Sequence, residues 1–211
     1  MVKFVRPNHL IDTISHLKSG MTVLDVGCGS NSPVKLKSFF PNLTIHGIDI
    51  YDVGNHAKNA LSEFYLSSSD SFDTDINSII DLFDCVISHH NLEHCIHRDL
   101  VLASMCKKLK PEGLLFLCFP SLQSPNLPSR KGTLNYFDDT THVSPPIDSQ
   151  DLIIKLVNNK MEILFFASTY KPVIMRHIGR ILEPISKRAG KVLPGTWSYY
   201  GFETVLVAQK K

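Results

Sequence analysis

The feature that most constrains this chain is a glycine-containing turn after an apolar strand, with an acidic residue near the end of the next apolar run. The run Val23–Val26 leads directly into the turn Gly27–Ser30, and Asp49 follows twenty residues after Gly29. Glycines permit a sharp turn and allow the backbone to approach a ligand closely. An acid at the end of the second strand is well placed to bind the two hydroxyls of a ribose. The pattern therefore predicts an α/β sheet that binds an adenosine-containing cofactor.

Seven short apolar runs alternate with helix-like segments along the 211 residues, a length that suits one domain. Each run has the length of a buried strand, and Asp148 is placed to cap a helix. Strands that alternate with helices predict a parallel sheet covered on both faces. The runs are Thr22–Val26, Leu43–Ile48, Glu63–Leu66, Phe83–Ser88, Gly113–Phe119, Met161–Ser168 and Thr204–Ala208.

Composition excludes several classes of protein. The net charge of +2, without clusters of Lys and Arg, argues against a nucleic-acid partner. No run reaches the roughly 18 apolar residues that a membrane span needs, and residues 1–20 lack the apolar core of a signal peptide. The five cysteines are spread without CxxC spacing, which indicates reduced thiols. We therefore expect a cytoplasmic protein.

Residues 120–147 form a long stretch without clear periodicity, and stretches of this kind inside compact domains are usually functional or disordered. Its aromatic residues favour an ordered loop. It leaves the end of a strand, on the side where open α/β sheets bind ligands, and is therefore expected to contact the substrate. The residues expected to line the substrate site are Asn126, Arg130, Asn135, Tyr136, Asp138 and Asp139.

Residues 171–197 form a helical insertion before the last strand. Pro172 suits a first helical position, and Pro184 is expected to stop or kink the helix. We expect this helix to pack on the domain as a lid. The alternative is a contact through residues 172–183 with a membrane surface or a dimer partner. An apolar stripe comprises Ile174, Ile178 and Ile181, with Arg176 and Arg180 elsewhere on the helix.

The turn also distinguishes between two cofactors. A nicotinamide dinucleotide calls for G-x-G-x-x-G, so that a helix N-terminus can hold the pyrophosphate, but Ser32 stands at the third glycine position. Asp25 places a negative charge where the diphosphate would arrive. The same carboxylate is useful near the ammonium or sulfonium of S-adenosylmethionine. The charge argument therefore prefers S-adenosylmethionine, and the alternative is a Rossmann-type oxidoreductase that uses a nucleotide cofactor.

The motifs taken together resemble those of the class I S-adenosylmethionine-dependent methyltransferases. Val23–Gly29 resembles the first motif of that family, and Asp49 its ribose-binding acid. Phe83–Ser88 resembles the fourth strand, and Leu92–His94 contains the Glu-His that many members carry next. The resemblance implies an S-adenosylmethionine-dependent methyltransferase.

The likeness continues into the second half of the chain and extends over residues 21–209. Leu109–Gly113 resembles the Leu-Lys-Pro-Gly-Gly turn into the fifth strand, with Glu112 in place of a glycine. The family's architecture implies a single Rossmann-like α/β domain over residues 1–211. Its sheet would have seven mostly parallel strands with helices on both faces and an antiparallel last strand.

The resemblance also implies a set of cofactor-binding residues. The turn would cradle the cofactor, Asp25 would act near its methionine portion, and Asp49 would hold the ribose. Ile50 would pack on adenine, and Asp70 would bind the adenine amino group. The residues that end the fourth strand would lie at the methyl end. The full set is Asp25, Gly27, Cys28, Gly29, Asp49, Ile50, Asp70, Ser88 and His89.

Several histidines follow the fourth strand. His90, Glu93 and His94 are three and four residues apart, so they would share one face of a helical turn. This H-x-x-E-H spacing occurs in one class of zinc peptidases, but the setting in a nucleotide-type domain argues against a protease. We predict no metal. The alternative is a divalent ion on His90, Glu93 and His94, with His142 as a distant ligand, because some methyltransferases use E-x-x-E-H in this way.

Methyl transfer to an alcohol requires removal of the hydroxyl proton, and histidine titrates close to neutral pH. The candidate bases are His142, in the long loop, and His90 or His94. The polar loop favours O-methylation of a small polar or carbohydrate-like acceptor, so the expected partner is a small molecule. Besides the oxidoreductase, a non-catalytic module that only binds S-adenosylmethionine remains an alternative.

Overall fold

The computed structural model describes residues 9–211, with side chains from Leu10 onward; residues 1–8 of the expected domain lie outside the described residues. Seven strands form one sheet in the order β3-β2-β1-β4-β5-β7-β6. The expected seven-stranded Rossmann-like sheet is therefore confirmed. The strands are β1 Thr22–Val26, β2 Thr44–Asp49, β3 Glu63–Leu66, β4 Phe83–His89, β5 Leu109–Pro120, β6 Met161–Ala167 and β7 Glu203–Lys210.

The direction of the strands places one edge of the sheet at the site. β1 pairs in parallel with β2 and β4, and β4 pairs in parallel with β5. β7 runs antiparallel to both β5 and β6, so the predicted antiparallel last strand is confirmed. Because β1, β2 and β4 end at the same edge, the turn after β1, Asp49 and the residues after β4 lie close together.

Helices cover both faces of the sheet. On one face, α4, α5 and α6 contribute Ile76, Met105 and Leu156 to the larger core cluster, and on the other, α1 and α2 contribute Ile14 and Leu36. Asp148 caps α6 as predicted, accepting a hydrogen bond from the Gln150 N–H. The helices are α1 His9–Ile14, α2 Ser32–Phe39, α3 Gly54–Lys58, α4 Phe72–Ser78, α5 Arg98–Lys107, α6 Ser149–Asn158, α7 Val173–Ala189 and α8 Thr196–Tyr200.

The loop after β5 is ordered by its own polar side chains. The Asp138 carboxylate accepts hydrogen bonds from the backbone N–H groups of Arg130, Leu134 and Asn135. Tyr136 is fully buried. The sequence predicts that the polar side chains of this loop line a substrate site. For the residues that fold the loop this prediction is wrong, because their hydrogen-bonding groups already bind other atoms of the loop.

Arg130 connects this loop to the helical insertion. Its guanidinium is buried and binds the Glu183 carboxylate of α7 through two N–O contacts of 2.9 and 2.6 Å. A third hydrogen bond joins Arg130 to the Ser186 hydroxyl. A buried, bidentate Arg–carboxylate pair of this kind gives both affinity and fixed geometry. The loop and α7 are therefore held together as one unit.

Helix α7 departs from the sequence prediction in two respects. It continues through Pro184 to Ala189, so the proline does not end it. Its apolar stripe does not pack on the domain: the isoleucines are 36 to 74% exposed. We call this stripe the α7 apolar surface; it consists of Ile174, Ile178, Ile181 and Ile185.

The opposite side of α7 makes the close contacts. A Cβ on Gly179 would lie 2.0 Å from the Gly195 carbonyl oxygen, just ahead of α8, so only glycine permits this approach. The small residues Gly179 and Ser186 are the buried ones on the helix. Within the described residues, no helix is long and apolar enough to cross a membrane.

Candidate functional site

The glycine turn after β1 is held on the end of β2. The N–H groups of Gly27 and Cys28 both donate to the Ile48 carbonyl oxygen, at 2.8 and 3.3 Å. Gly27 has a φ of +72°, and a Cβ there would lie 2.3 Å from the Asn91 side chain, so this position requires glycine. The turn therefore brings its backbone directly beneath the residues that follow β4.

Asp49 is oriented by the backbone before any ligand arrives. Its Oδ2 accepts a hydrogen bond from the Gly29 N–H at 2.8 Å, and its Oδ1 accepts one from the Tyr51 N–H at 3.0 Å. A carboxylate oxygen can accept more than one hydrogen bond, so the remaining lone pairs are available to two adjacent hydroxyls. The geometry fits the predicted ribose-binding role.

A cavity beside Asp49 has the composition expected of a nucleobase site. Ile50 lines it and is 36% exposed, while Phe72 and Val101 provide further apolar surface. Asp70 is exposed and does not line this cavity. Its neighbours Ser69 and Asp73 do. The structure therefore does not support Asp70 as the adenine contact, because the turn before α4 directs neighbouring polar residues into the cavity instead.

Asp25 lies fully buried under the turn. Its Oδ2 accepts a hydrogen bond of 2.6 Å from the Ser32 hydroxyl. Burial raises its pKa to about 7, and the negative charge of Asp49 adds to this rise, although the Ser32 hydrogen bond opposes it. The carboxylate is therefore poised to ionise fully when a cationic group binds beside it.

The raised pKa of Asp25 predicts a pH-dependent cost to folding. Between pH 4 and 7 the folded state holds a proton that the unfolded state has lost, so stability falls as pH rises through this window. Asp25→Asn removes the ionisable group and should raise the free energy of unfolding above pH 7 by on the order of 4 kcal/mol. At pH 5 the difference should be smaller, on the order of 1.5 kcal/mol, because only the first part of this pH window has been crossed.

Denaturant unfolding of both proteins at pH 5 and pH 8 measures this difference. Asp70→Asn, which makes the same chemical change at an exposed position, serves as the control and should show no such pH dependence. If Asp25→Asn changed the free energy of unfolding equally at both pH values, the raised pKa of Asp25 would be contradicted.

The end of β4 presents two side chains of different character. Ser88 is buried, and its hydroxyl has no hydrogen-bond partner among the described residues. His89 points to the opposite face of the sheet and lines a cavity of ≈ 500 Å³. This large cavity has mostly apolar walls with a few polar groups. Its walls include Phe116, Tyr170, Met175 and Trp197, and its polar groups are Lys35, His89, Ser198 and Glu203.

His90 does not lie on a helical turn with Glu93 and His94, as the sequence predicted. It has a φ of +53° and precedes the 3-10 helix Leu92–His94. Its Nδ1 lies 3.0 Å from Glu93 Oε1, and its Nε2 lies 3.0 Å from Glu203 Oε1. Both ring nitrogens are therefore engaged, which argues against His90 as the base.

The two carboxylates also control the protonation of His90. Burial by itself would lower the pKa of the imidazole, but contact with Cys118 and the hydrogen bonds to Glu203 and Glu93 raise it well above its ordinary value. In the reverse direction, burial would raise the pKa of Glu203, yet its hydrogen bond to His90 lowers it overall. The pair is therefore charged at neutral pH.

His94 and His142 lie against each other, with ring centroids 4.8 Å apart. Nδ1 of His142 donates to the Tyr136 carbonyl oxygen at 2.6 Å. The Thr141 hydroxyl donates to Asp139, so it accepts its second hydrogen bond from His94 Nδ1 at 2.9 Å. In both rings Nδ1 is therefore the nitrogen that donates to the loop.

His142 is nevertheless poorly placed to meet a substrate. Its side chain is 4% exposed and packs against the ring of Tyr136. It is not among the residues that line the large cavity, whereas His89 is. The sequence predicts His142 as a candidate base, but the fold of the loop turns its ring inward, with Nε2 3.9 Å from the Asp139 carboxylate.

Among the described residues, three groups of side chains have the donor atoms and spacing of a metal site. In each group, one ligand atom per residue lies within 4.8 Å of the others. The sequence offers His90, Glu93 and His94 as an alternative metal site. The structure does not keep these three residues together, because His90 belongs to a different group from Glu93 and His94. The groups are Glu93, His94 and His142; His89, His90, Cys118 and Glu203; and His46, Glu63 and Asp81.

Sequence reasoning did not identify Cys118 and Glu203 as site residues. They lie on β5 and β7, 85 positions apart in the sequence, and become neighbours because those strands pair antiparallel. Trp197 and Met175 were likewise missed because they reach the cavity from the helical insertion. The one available signal was the charged Glu203 directly before the apolar run of the last strand.

Comparison with known proteins also indicates a methyltransferase. The profile of a family described as a methyltransferase domain matches residues 3–153. No curated protein matches the sequence significantly.

Solved structures share the fold at low sequence identity. An S-adenosylmethionine-dependent methyltransferase from Archaeoglobus fulgidus has a TM-score of 0.61 and 18% identity, over 96% of this chain and 91% of that one. One from Mesorhizobium loti has a TM-score of 0.65 and 12% identity, over 96% of each chain. A structure of a Haloferax volcanii methyltransferase complex with the activator Trm112 has a TM-score of 0.68 and 12% identity, over 95% and 86%. With its glycine turn, oriented Asp49 and strand order, this chain belongs to the class I S-adenosylmethionine-dependent methyltransferases.

Proposed function

We propose that this methyltransferase transfers the methyl group of S-adenosylmethionine to a hydroxyl group of a small molecule. The observation that carries the proposal is the cavity of ≈ 500 Å³ that His89 lines at the end of β4. Ligand sites for small molecules are concave, mostly apolar and contain a few placed polar groups. This cavity has that composition and adjoins the strand end where the family resemblance places the cofactor's methyl group.

His89 is the residue that we propose as the general base. It lines the large cavity and is exposed there. Its ring makes no hydrogen bond to another described residue, and it stands against His90 and Phe116. A base has to reach the proton that it removes, and geometry precedes other criteria. Desolvation lowers the pKa of the imidazole to about 4, and the charge of His90 adds to this fall. The ring is therefore neutral at pH 7 and offers a nitrogen lone pair to the proton of an acceptor hydroxyl.

The lining of the cavity also bears on the kind of acceptor. The carbohydrate-like acceptor predicted from the loop loses its main support, because Asn135 and Asp138 hold the loop together. Apolar walls with polar groups at one end favour a hydroxylated molecule with an apolar body. Carbohydrates remain in the test set, since Glu203 and Ser198 could bind hydroxyl groups.

A screen for release of S-adenosylhomocysteine tests the proposal. The acceptors are sugars, nucleotide sugars, small aliphatic alcohols and hydroxylated aromatic compounds, each incubated with enzyme and S-adenosylmethionine. Turnover with a hydroxylated compound, and none with its deoxy analogue, is the expected result. Turnover only with amines or carbon acids would contradict O-methylation. Binding of S-adenosylmethionine without turnover of any acceptor would favour the non-catalytic module.

The α7 apolar surface supports a second proposal, a contact with another copy of the chain or with a membrane surface. Its four isoleucines are exposed on one helix that also carries Arg176 and Arg180. Contiguous exposed apolar residues on a soluble domain often mark such contacts. The expectation of a contact through residues 172–183 is thereby retained.

Ile181→Asp tests this surface, because Ile181 is its most exposed member at 74%. Sedimentation should show a wild-type dimer that the variant converts to monomer, or flotation should show vesicle binding that the variant loses. Leu100→Asp, at an exposed leucine on α5, is the matched control. A wild-type monomer that does not bind vesicles would contradict the proposal.

A further inference from the structure

Three donor atoms meet at the polar end of the large cavity. His90 Nε2, Cys118 Sγ and Glu203 Oε1 come from three different segments, the end of β4, strand β5 and strand β7. Nε2 lies 3.0 Å from Oε1 and 3.8 Å from Sγ, and Sγ lies 3.6 Å from Oε1. The three atoms therefore form a triangle with sides of 3.0, 3.6 and 3.8 Å.

This triangle has the dimensions of one face of a tetrahedral metal site. Zinc binds sulfur at about 2.3 Å and nitrogen or oxygen at about 2.0 to 2.2 Å, which places tetrahedral ligand atoms about 3.3 to 3.6 Å apart. The observed sides of 3.0, 3.6 and 3.8 Å bracket these values. One thiol, one imidazole and one carboxylate are also ligand types that zinc accepts together.

The surroundings orient the imidazole as metal-bound histidines are oriented. Glu93 Oε1 accepts from His90 Nδ1 at 3.0 Å, and Glu93 is fully buried. A carboxylate on the far nitrogen is the usual outer partner of a metal-bound histidine, because it selects the tautomer whose other nitrogen can bind the ion. Here it turns His90 Nε2 toward Cys118 and Glu203, so that the lone pair of Nε2 would face them once its proton is displaced.

The site is accessible to an ion from solution. Cys118 and Glu203 both line the large cavity, and so does His89, which completes the group with a ligand atom within 4.8 Å of the others. In the metal-free protein, a proton on His90 Nε2 bridges to Glu203. A divalent ion would displace this proton and the thiol proton of Cys118, releasing both to solvent.

We propose that His90, Cys118 and Glu203 bind a divalent ion of the zinc type, with its fourth coordination position directed into the cavity beside His89. This site goes beyond the proposed methyl transfer and does not depend on it. Three protein ligands with one open position are the arrangement that zinc adopts where it contacts a substrate.

Metal binding can be measured without an acceptor. Protein freed of metal by a chelator is titrated with Zn²⁺ against a chromophoric competitor, and separately with Co²⁺ while absorption is recorded. We expect one ion per chain, and a thiolate-to-cobalt charge-transfer band in the wild type. Cys118→Ser should lose that band and weaken Zn²⁺ binding about 100-fold or more, as removal of a ligand demands.

Cys106→Ser is the matched control, because Cys106 is equally buried but lies on α5 in the core of the other sheet face. It should bind Zn²⁺ as the wild type does. Glu203→Gln removes a second ligand. The cobalt spectrum of the wild type tests the proposal even if neither variant folds. Absence of one-to-one binding, or a cobalt spectrum without a thiolate band, would overturn the proposal. So would binding that survives Cys118→Ser and disappears in His94→Ala.

Discussion

His89→Ala is expected to lower the turnover of an identified acceptor by about 100-fold or more, the usual contribution of a general base. The affinity for S-adenosylmethionine should change much less, because His89 is expected to touch only the methyl end of the cofactor, whereas the contacts expected of the turn and Asp49 lie on other elements. The physical reason is position: His89 lines the large cavity, and its ring makes no hydrogen bond to another described residue. Initial rates of S-adenosylhomocysteine release, with cofactor affinity measured by calorimetry, separate the two quantities.

His142→Ala is the informative comparison for this experiment. The sequence places His142 among the candidate bases, but its side chain is 4% exposed and hydrogen-bonded to the Tyr136 carbonyl. We expect its loss to reduce turnover far less than loss of His89, and to act mainly through loop stability. A collapse of turnover in His142→Ala with full activity in His89→Ala would return the role of base to the loop. His16→Ala, at an exposed histidine, controls for unspecific effects.

Asp49→Ala is expected to weaken S-adenosylmethionine binding by about 1 to 3 kcal/mol, which is the cost of losing hydrogen bonds to a charged group. The carboxylate already holds two backbone N–H groups, from Gly29 and Tyr51, so its loss also loosens the turn. Binding of the cofactor measured by calorimetry should therefore show a reduction of roughly 5- to 150-fold.

Asp52→Ala is a matched control for Asp49→Ala. Asp52 lies three residues further along the chain, is exposed and pairs with Lys58. It should bind S-adenosylmethionine with unchanged affinity. An unchanged affinity in Asp49→Ala itself would remove this residue from the ribose site. Nicotinamide dinucleotide, titrated in the same instrument, should not bind, because Ser32 and the buried Asp25 replace the features that hold a diphosphate.

The architecture was accessible from the sequence because buried strands carry a local signal. The predicted runs Thr22–Val26 and Glu63–Leu66 have the bounds of β1 and β3, and most other strands differ by one or two residues. Strand β5 is the exception: it begins at Leu109, where the prediction expected a turn. Glu112 does adopt a left-handed φ of +62° within this segment, the conformation that a glycine would more readily supply.

The cofactor residues near the turn were also accessible. The predicted cofactor residues Asp25, Gly27 and Asp49 lie within or beside single strand ends, and the order of the strands brings them together without help from distant segments. Asp70 shows the limit of this reasoning. The run Ser67–Asp70 offered several polar candidates, and the geometry of one turn determined which of them reach the cavity.

The sequence by itself determined the sheet, the glycine turn and the cofactor, since each depends on the apolar periodicity or on residues close together along the chain. Tertiary structure alone decided where the proposed acceptor cavity lies. It turned His142 inward, used Asp138 and Arg130 to fold the loop, and exposed the isoleucines of α7. It also joined His90 to Cys118 and Glu203 through the antiparallel pairing of β5 with β7. Contacts between residues far apart in sequence leave no local pattern, so only the folded chain shows them.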